Sequence, residues 1–69
     1  MIDWSLLTIL LRKHYKGLTA VSKEVGSDWA HINRLARGEV RQPRFDTGMK
    51  LLDLAYDHLP AEEFNRVKL

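Results

Sequence analysis

The chain has 69 residues and no cysteine, so it lies near the lower size limit of a self-supporting core and has no disulfide to staple it. Its longest apolar run, Leu6 to Leu11, is broken by Thr8 and falls far short of the roughly 20 residues that span a bilayer. No basic flank and small-residue cleavage site mark a secretory signal, and the expectation is a soluble, cytoplasmic protein of one domain, residues 1–69.

The first helix is expected from Asp3, as N-cap, to about Tyr15, with Trp4, Leu7, Leu10 and Leu11 on the core side. Leu6 and Ile9 widen its apolar arc past half the circumference, so it is either enclosed on two sides or carries a partner surface. Gly17 ends this element. The second helix runs from about Leu18 to Val25, and the third from Trp29 to about Arg37 with Gly38 as its C′ residue.

Between these two helices lies the most informative stretch of the chain. Val21, Val25, Ile32 and Leu35 fall on inner faces, and Ser22 is small enough for the third helix to cross closely above it. Gly26 stands where the chain must turn sharply, a corner that usually needs positive φ. Asp28 follows as the next N-cap. Together these spacings describe a helix-turn-helix over about residues 18–37, a device that reads DNA.

A proline-containing loop covers residues 38–44. Asp46 is expected to cap a fourth helix that holds Met49, Leu52, Tyr56 and Leu59 on one side. Pro60 is expected at the N1 position of a fifth, with Glu62 and Glu63 in its first turn and Arg66 and Lys68 at its end, as the helix dipole favours. No strand pattern or internal repeat occurs. The fold class expected is all-α, built from five short helices.

With the loop included, the chain resembles the DNA-binding domains of the lambda-type phage repressor and Cro family over about Gly17 to Phe45. Members follow the helix-turn-helix with a glycine closing the third helix and a basic loop ending in Pro-Arg-Phe; here the segment reads Gly38-Glu39-Val40-Arg41-Gln42-Pro43-Arg44-Phe45. The chain departs from the pattern at Leu18, where many members carry a glutamine, and at Leu11 and Ala36, where some place a buried arginine–glutamate pair. An apolar pair can replace such ions without loss of stability. Beyond Phe45 the resemblance fades.

The resemblance implies a lambda-repressor-like fold and a sequence-specific regulator that binds a palindromic operator as a homodimer in a bacterial cell. With Ile32, Leu35 and Ala36 turned inward, the outer stripe of the third helix is Ala30, Asn33, Arg34 and Arg37. Arg34 suits guanine, Asn33 suits adenine and Ala30 a thymine methyl. Trp29 either abuts a thymine methyl or sugar, or folds back against the second helix. Arg37, Arg41 and Arg44 are expected at the sugar-phosphate backbone, Arg44 with access to the minor groove, and His31, Lys16 and Lys23 at outer phosphates. Glu39 is discordant, since many members carry a basic residue there.

Charge is distributed to match: residues 12–44 hold eight Lys or Arg against three Asp or Glu, an excess of +5 within a net +2. Leu59, Phe64, Val67 and Leu69, in the region 59–69, are the expected dimerisation residues; the alternative is that Phe64 and Val67 close the monomer's core and pairing occurs on DNA alone. His14, His31 and His58 lack metal-ligand spacing, and no metal or other cofactor is expected. Nor is an enzyme expected, since no nucleophile, phosphate loop or histidine–carboxylate pair stands out. The competing function is a helix-turn-helix protein-interaction module, such as an antitoxin or regulatory adaptor, which would use the apolar first helix and the acidic tail.

Overall fold

Asp3 starts the first helix, its carboxylate accepting the Leu6 N–H at 3.1 Å. The computed structural model describes residues 1–69 as α1 (Trp4–His14), α2 (Gly17–Val25), α3 (Trp29–Ala36), α4 (Phe45–His58) and α5 (Ala61–Arg66). The domain is all-α, without a strand; Ile2 and Lys68 form a lone antiparallel bridge. No helix is long and apolar enough to cross a membrane.

α1 is the central element, packed against α2, α3 and α4. Leu7 and Leu11 are fully buried, and Leu6 and Ile9 are half-buried against the same core, so α1 is enclosed on more than one side. Thr8 is also buried, and its hydroxyl donates to the Trp4 carbonyl at 2.7 Å, which satisfies the polar group inside the helix itself. Val21, Ile32, Leu35, Leu51, Ala55 and Val67 complete the fully buried set. Leu11 and Ala36 both lie in this core, at 0% and 6% exposure, so apolar packing occupies their two sites.

α2 and α3 both end in a left-handed residue that returns amide protons to the last carbonyls. At Gly26 (φ 67°) the Gly26 N–H reaches the Lys23 carbonyl and the Ser27 N–H the Ser22 carbonyl, at 3.2 and 2.9 Å. The same pair of bonds recurs after α3, from Gly38 to Leu35 and from Glu39 to Arg34. This is the Schellman arrangement, in which glycine avoids the Cβ penalty of positive φ. Ser5 then ties the end of α3 to α1, its hydroxyl donating to the Ala36 carbonyl at 2.7 Å.

The second half of the chain differs from expectation. α4 begins at Phe45 with the extended Arg44 in the cap position, so Asp46 lies in the first turn, where its charge meets the helix dipole without capping it. Pro60 likewise stands at the cap of α5, one residue before the expected N1 position. The buried face of α4 is Thr47, Gly48, Leu51, Leu54 and Ala55, while Met49 and Tyr56 are exposed and Leu52 is half-buried. Two stripes of α4 share the helical period, and close approach decides between them. A Cβ at Gly48 would stand 3.2 Å from both the Trp4 ring and the Pro43 ring, so the side bearing the smallest residue faces α1.

The tail is corrected too. Leu59 and Val67 are covered by the chain's own core, at 7% and 0% exposure, and are not available as a dimerisation surface. The segment after α5 folds back on the start of the chain, where the Asp3 N–H donates to the Val67 carbonyl at 2.8 Å and the Leu69 N–H to the Met1 carbonyl at 3.0 Å. Phe64 is half-buried, its ring edge-on to Tyr56 and under the Lys68 ammonium. Leu69 remains exposed.

Candidate nucleic-acid interface

Three residues, 26 to 28, connect α2 to α3, and Asp28 caps α3 by accepting the Ala30 N–H at 3.3 Å. Ile32, Leu35 and Ala36 anchor the inner side of α3 in the core. The remaining circumference is therefore turned outward. Trp29 is about half exposed, Ala30 and Asn33 are half-buried, and Arg34 and Arg37 are exposed. Helical spacing separates this outer arc into two edges: Ala30, Asn33 and Arg37 on one, His31 and Arg34 on the other.

Arg34 is not fully extended. Its Nε donates to the Ala30 carbonyl one turn back at 3.4 Å, which leans the guanidinium toward the start of α3. Arg37 is also engaged, because Glu39 closes on it through the Nε at 2.9 Å. That pair is exposed, so its net contribution to stability is small.

The loop after α3 is held at two points and free between them. Val40 packs against the core, and Pro43 lies against Gly48 of α4. Arg41, Gln42 and Arg44 are exposed on this loop.

Arg34, Arg44 and His31 come together with Gly26, Ser27, Asp28 and Thr47 around a polar hollow of about 280 Å³ between α3 and the start of α4. His31 lines the hollow, while its Nε2 is buried away from solvent and has no hydrogen-bond partner. Ser27 and Thr47 carry no sequence signal for this role, because the approach of α4 to the turn is a tertiary event. The Lys50 ammonium is also close, 3.7 Å from the point a Cβ on Gly26 would occupy. Lys16 and Lys23 are exposed at opposite ends of α2 and line neither the hollow nor the groove described next.

A second depression, an apolar groove of about 940 Å³, lies between the first residues of the chain, the 38–44 loop and the outer side of α4. Phe45, Met49, Leu52 and Tyr56 form a stripe along α4 at spacings of four, three and four, and Leu69 and Met1 are exposed at its side.

The other histidines are occupied elsewhere: His14 pairs with Glu63, and His58 stacks edge-on against Tyr15 with ring centroids 4.9 Å apart. The Tyr15 hydroxyl reaches the Glu24 carboxylate at 3.3 Å, and its pKa is raised by burial and then by the neighbouring Glu24 charge and hydrogen bond. Comparison of the chain with protein-family models, with curated proteins and with solved structures gives no match.

Proposed function

We propose that the chain binds duplex DNA through α3 and the loop that follows it, as a transcriptional regulator of the lambda-repressor and Cro kind. The observation that carries this reading is the arrangement around α3: one short helix pinned by three core residues, its outer arc free, with Arg34, Arg37, Arg41 and Arg44 on it and on the loop beside it. Ala30, Asn33 and Trp29 are then offered to base edges in the major groove. The arginines supply the charge that neutralises phosphates, and Lys16, Lys23 and His31 add to it.

The domain measures 28 Å in its longest direction, less than the roughly 34 Å of one helical turn of DNA. Two copies about a twofold axis would read both halves of an approximately palindromic operator. The pairing surface in this reading is the outer stripe of α4, Phe45, Met49, Leu52 and Tyr56 with Leu69, in place of the buried Leu59 and Val67.

That same apolar stripe is the observation favouring the second reading, a module that acts through a protein partner. Selection of bound sequences from random duplexes, followed by titration of the selected site at several salt concentrations, separates the two. A DNA regulator yields a consensus, and log affinity falls linearly with log salt at about −0.9 per neutralised phosphate. No enrichment over random sequence, with affinity insensitive to salt, leaves the protein-interaction module.

A further inference from the structure

We propose that the apolar groove between the start of the chain, the 38–44 loop and α4 docks an extended, acidic segment of a partner protein, and that this partner and DNA exclude one another. The exclusion rests on the DNA-binding reading; the docking does not. The groove encloses about 940 Å³, and Phe45, Met49 and Leu69 are exposed along it. A contiguous apolar surface of this kind marks an interaction site. Charge then selects the occupant. Arg41 and Arg44 stand among the lining residues, both exposed and neither with an ion pair or hydrogen bond inside the chain. Asp3 is the one acidic side chain beside them, and its carboxylate already accepts the Leu6 N–H. An apolar trough bordered by two free guanidinium groups suits apolar side chains interspersed with carboxylates and repels a basic partner.

The backbone supplies the second sign. Ile2 pairs with Lys68 in an antiparallel bridge whose two hydrogen bonds run from the Asp3 N–H to Val67 and from the Leu69 N–H to Met1. In such a pair the middle residue turns its own N–H and C=O away from the residue opposite. Those of Ile2 have no hydrogen-bond partner in the chain, and Ile2 lines the groove. An open strand edge beside an apolar trough is the arrangement in which an added strand gains main-chain hydrogen bonds and sets alternate side chains into pockets. A strand of about seven residues spans roughly 23 Å. The domain measures 28 × 23 × 19 Å, so such a strand can cross its face.

Arg41 and Arg44 are also two of the arginines proposed to meet DNA. A partner whose carboxylates hold them takes positive charge from the DNA face, and its apolar side chains cover Phe45, Met49 and Leu52 of the pairing stripe. One acidic segment thereby opposes both operator contact and pairing.

A displayed library of random peptides, about seven residues long, provides the probe, selected on the whole protein. The expected winners alternate apolar residues with Asp or Glu. The enriched peptide is then titrated by NMR against the indole N–H signals of Trp4, which touches Gly48 in the groove, and Trp29, which lies on α3. Trp4 should shift saturably, Trp29 should not, and the Ile2 amide should become protected from exchange. Arg41→Gln and Arg44→Gln should each weaken the peptide about threefold or more, and Phe45→Asp about tenfold or more. All three residues are exposed, and backbone amide spectra verify that the variants remain folded. Saturating peptide should lower affinity for a selected duplex about tenfold or more.

No enrichment, enrichment of basic peptides, or a shift at Trp29 in place of Trp4 overturns the docking site. A Trp4 signal that moves when the protein alone is concentrated, with no answer to peptide, assigns the groove to a second copy and overturns it too. An Ile2 amide left unprotected in the bound state overturns the strand pairing. Duplex affinity unchanged at saturating peptide retains the docking and overturns the exclusion. If no duplex binds at all, the DNA reading fails, and the peptide titration still decides the groove.

Discussion

Glu39 sits two residues beyond Arg37 and closes on its guanidinium at 2.9 Å, placing the one acidic side chain of the 38–44 loop on the last arginine of the α3 region. The neutralised charge lies on the side proposed to meet DNA. Any phosphate that recruits Arg37 must first displace Glu39 or tolerate it.

Glu39→Gln should therefore strengthen DNA binding. Fluorescence anisotropy should show a gain of a few-fold at low salt and a salt slope steeper by about 0.9, the contribution of one added phosphate contact. Folding stability should change by less than about 0.5 kcal/mol, because both side chains are largely exposed. Unchanged affinity would mean that Arg37 lies off the DNA.

Arg41→Ala provides the complementary measurement. Its exposed side chain makes no ion pair and no hydrogen bond within the chain, so its removal should leave the melting temperature unaltered. Affinity should fall for specific and random duplexes in equal proportion, with the salt slope shallower by about 0.9. A change confined to one sequence would assign Arg41 to base recognition instead.

The turn between α2 and α3 depends on the left-handed Gly26. A Cβ there meets nothing closer than the Lys50 ammonium at 3.7 Å, so the cost of a side chain is conformational and not steric crowding. Gly26→Ala should destabilise the domain by about 1–2 kcal/mol, which lowers the melting temperature of a domain this small by about 4–8 °C per kcal/mol. An unchanged melting temperature would show that the backbone relaxes away from positive φ.

Phe45 and Val67 should separate assembly from folding. Phe45 is 79% exposed on the outer stripe of α4, so Phe45→Asp should retain the fold within about 0.5 kcal/mol. It should also raise the dimer dissociation constant tenfold or more in sedimentation equilibrium. Val67 is fully buried, and Val67→Asp should unfold the monomer, because it puts an unpaired carboxylate into the core. Wild-type protein that stays monomeric into the high micromolar range, with Phe45→Asp matching it on DNA, would remove the α4 stripe from the pairing surface.

Tyr15 links stability to alkaline pH. Burial raises its pKa, and Glu24 adds to the shift through charge and hydrogen bond, so the folded state retains the phenolic proton after the unfolded chain has lost it. Its contribution is complete below the ordinary tyrosine range and is lost as pH rises through the folded value. Thermal melts of wild type and Tyr15→Phe should diverge in that alkaline window, the wild type losing more; parallel curves would remove the linkage.

The five helices were legible in the residues because helix signals act over a turn or two, although α4 starts at Phe45, ahead of the expected cap Asp46, and α5 at Ala61, after the expected N1 residue Pro60. Asp3 and Asp28 cap where their spacing says, and Gly26 and Gly38 take positive φ where a helix must stop. The inner face of α3, Ile32 and Leu35 with Ala36, also follows from period alone, since it has one apolar stripe. α4 has two, and period cannot choose between them; the contact of Gly48 with Trp4 and Pro43 does. Val67 enters the core because the tail bonds to Asp3 and Met1, more than sixty residues away in sequence. The hollow shared by Ser27, His31, Arg34, Arg44 and Thr47 has the same origin: no local rule relates the turn before α3 to the first turn of α4, and packing both against one small core brings their polar groups together.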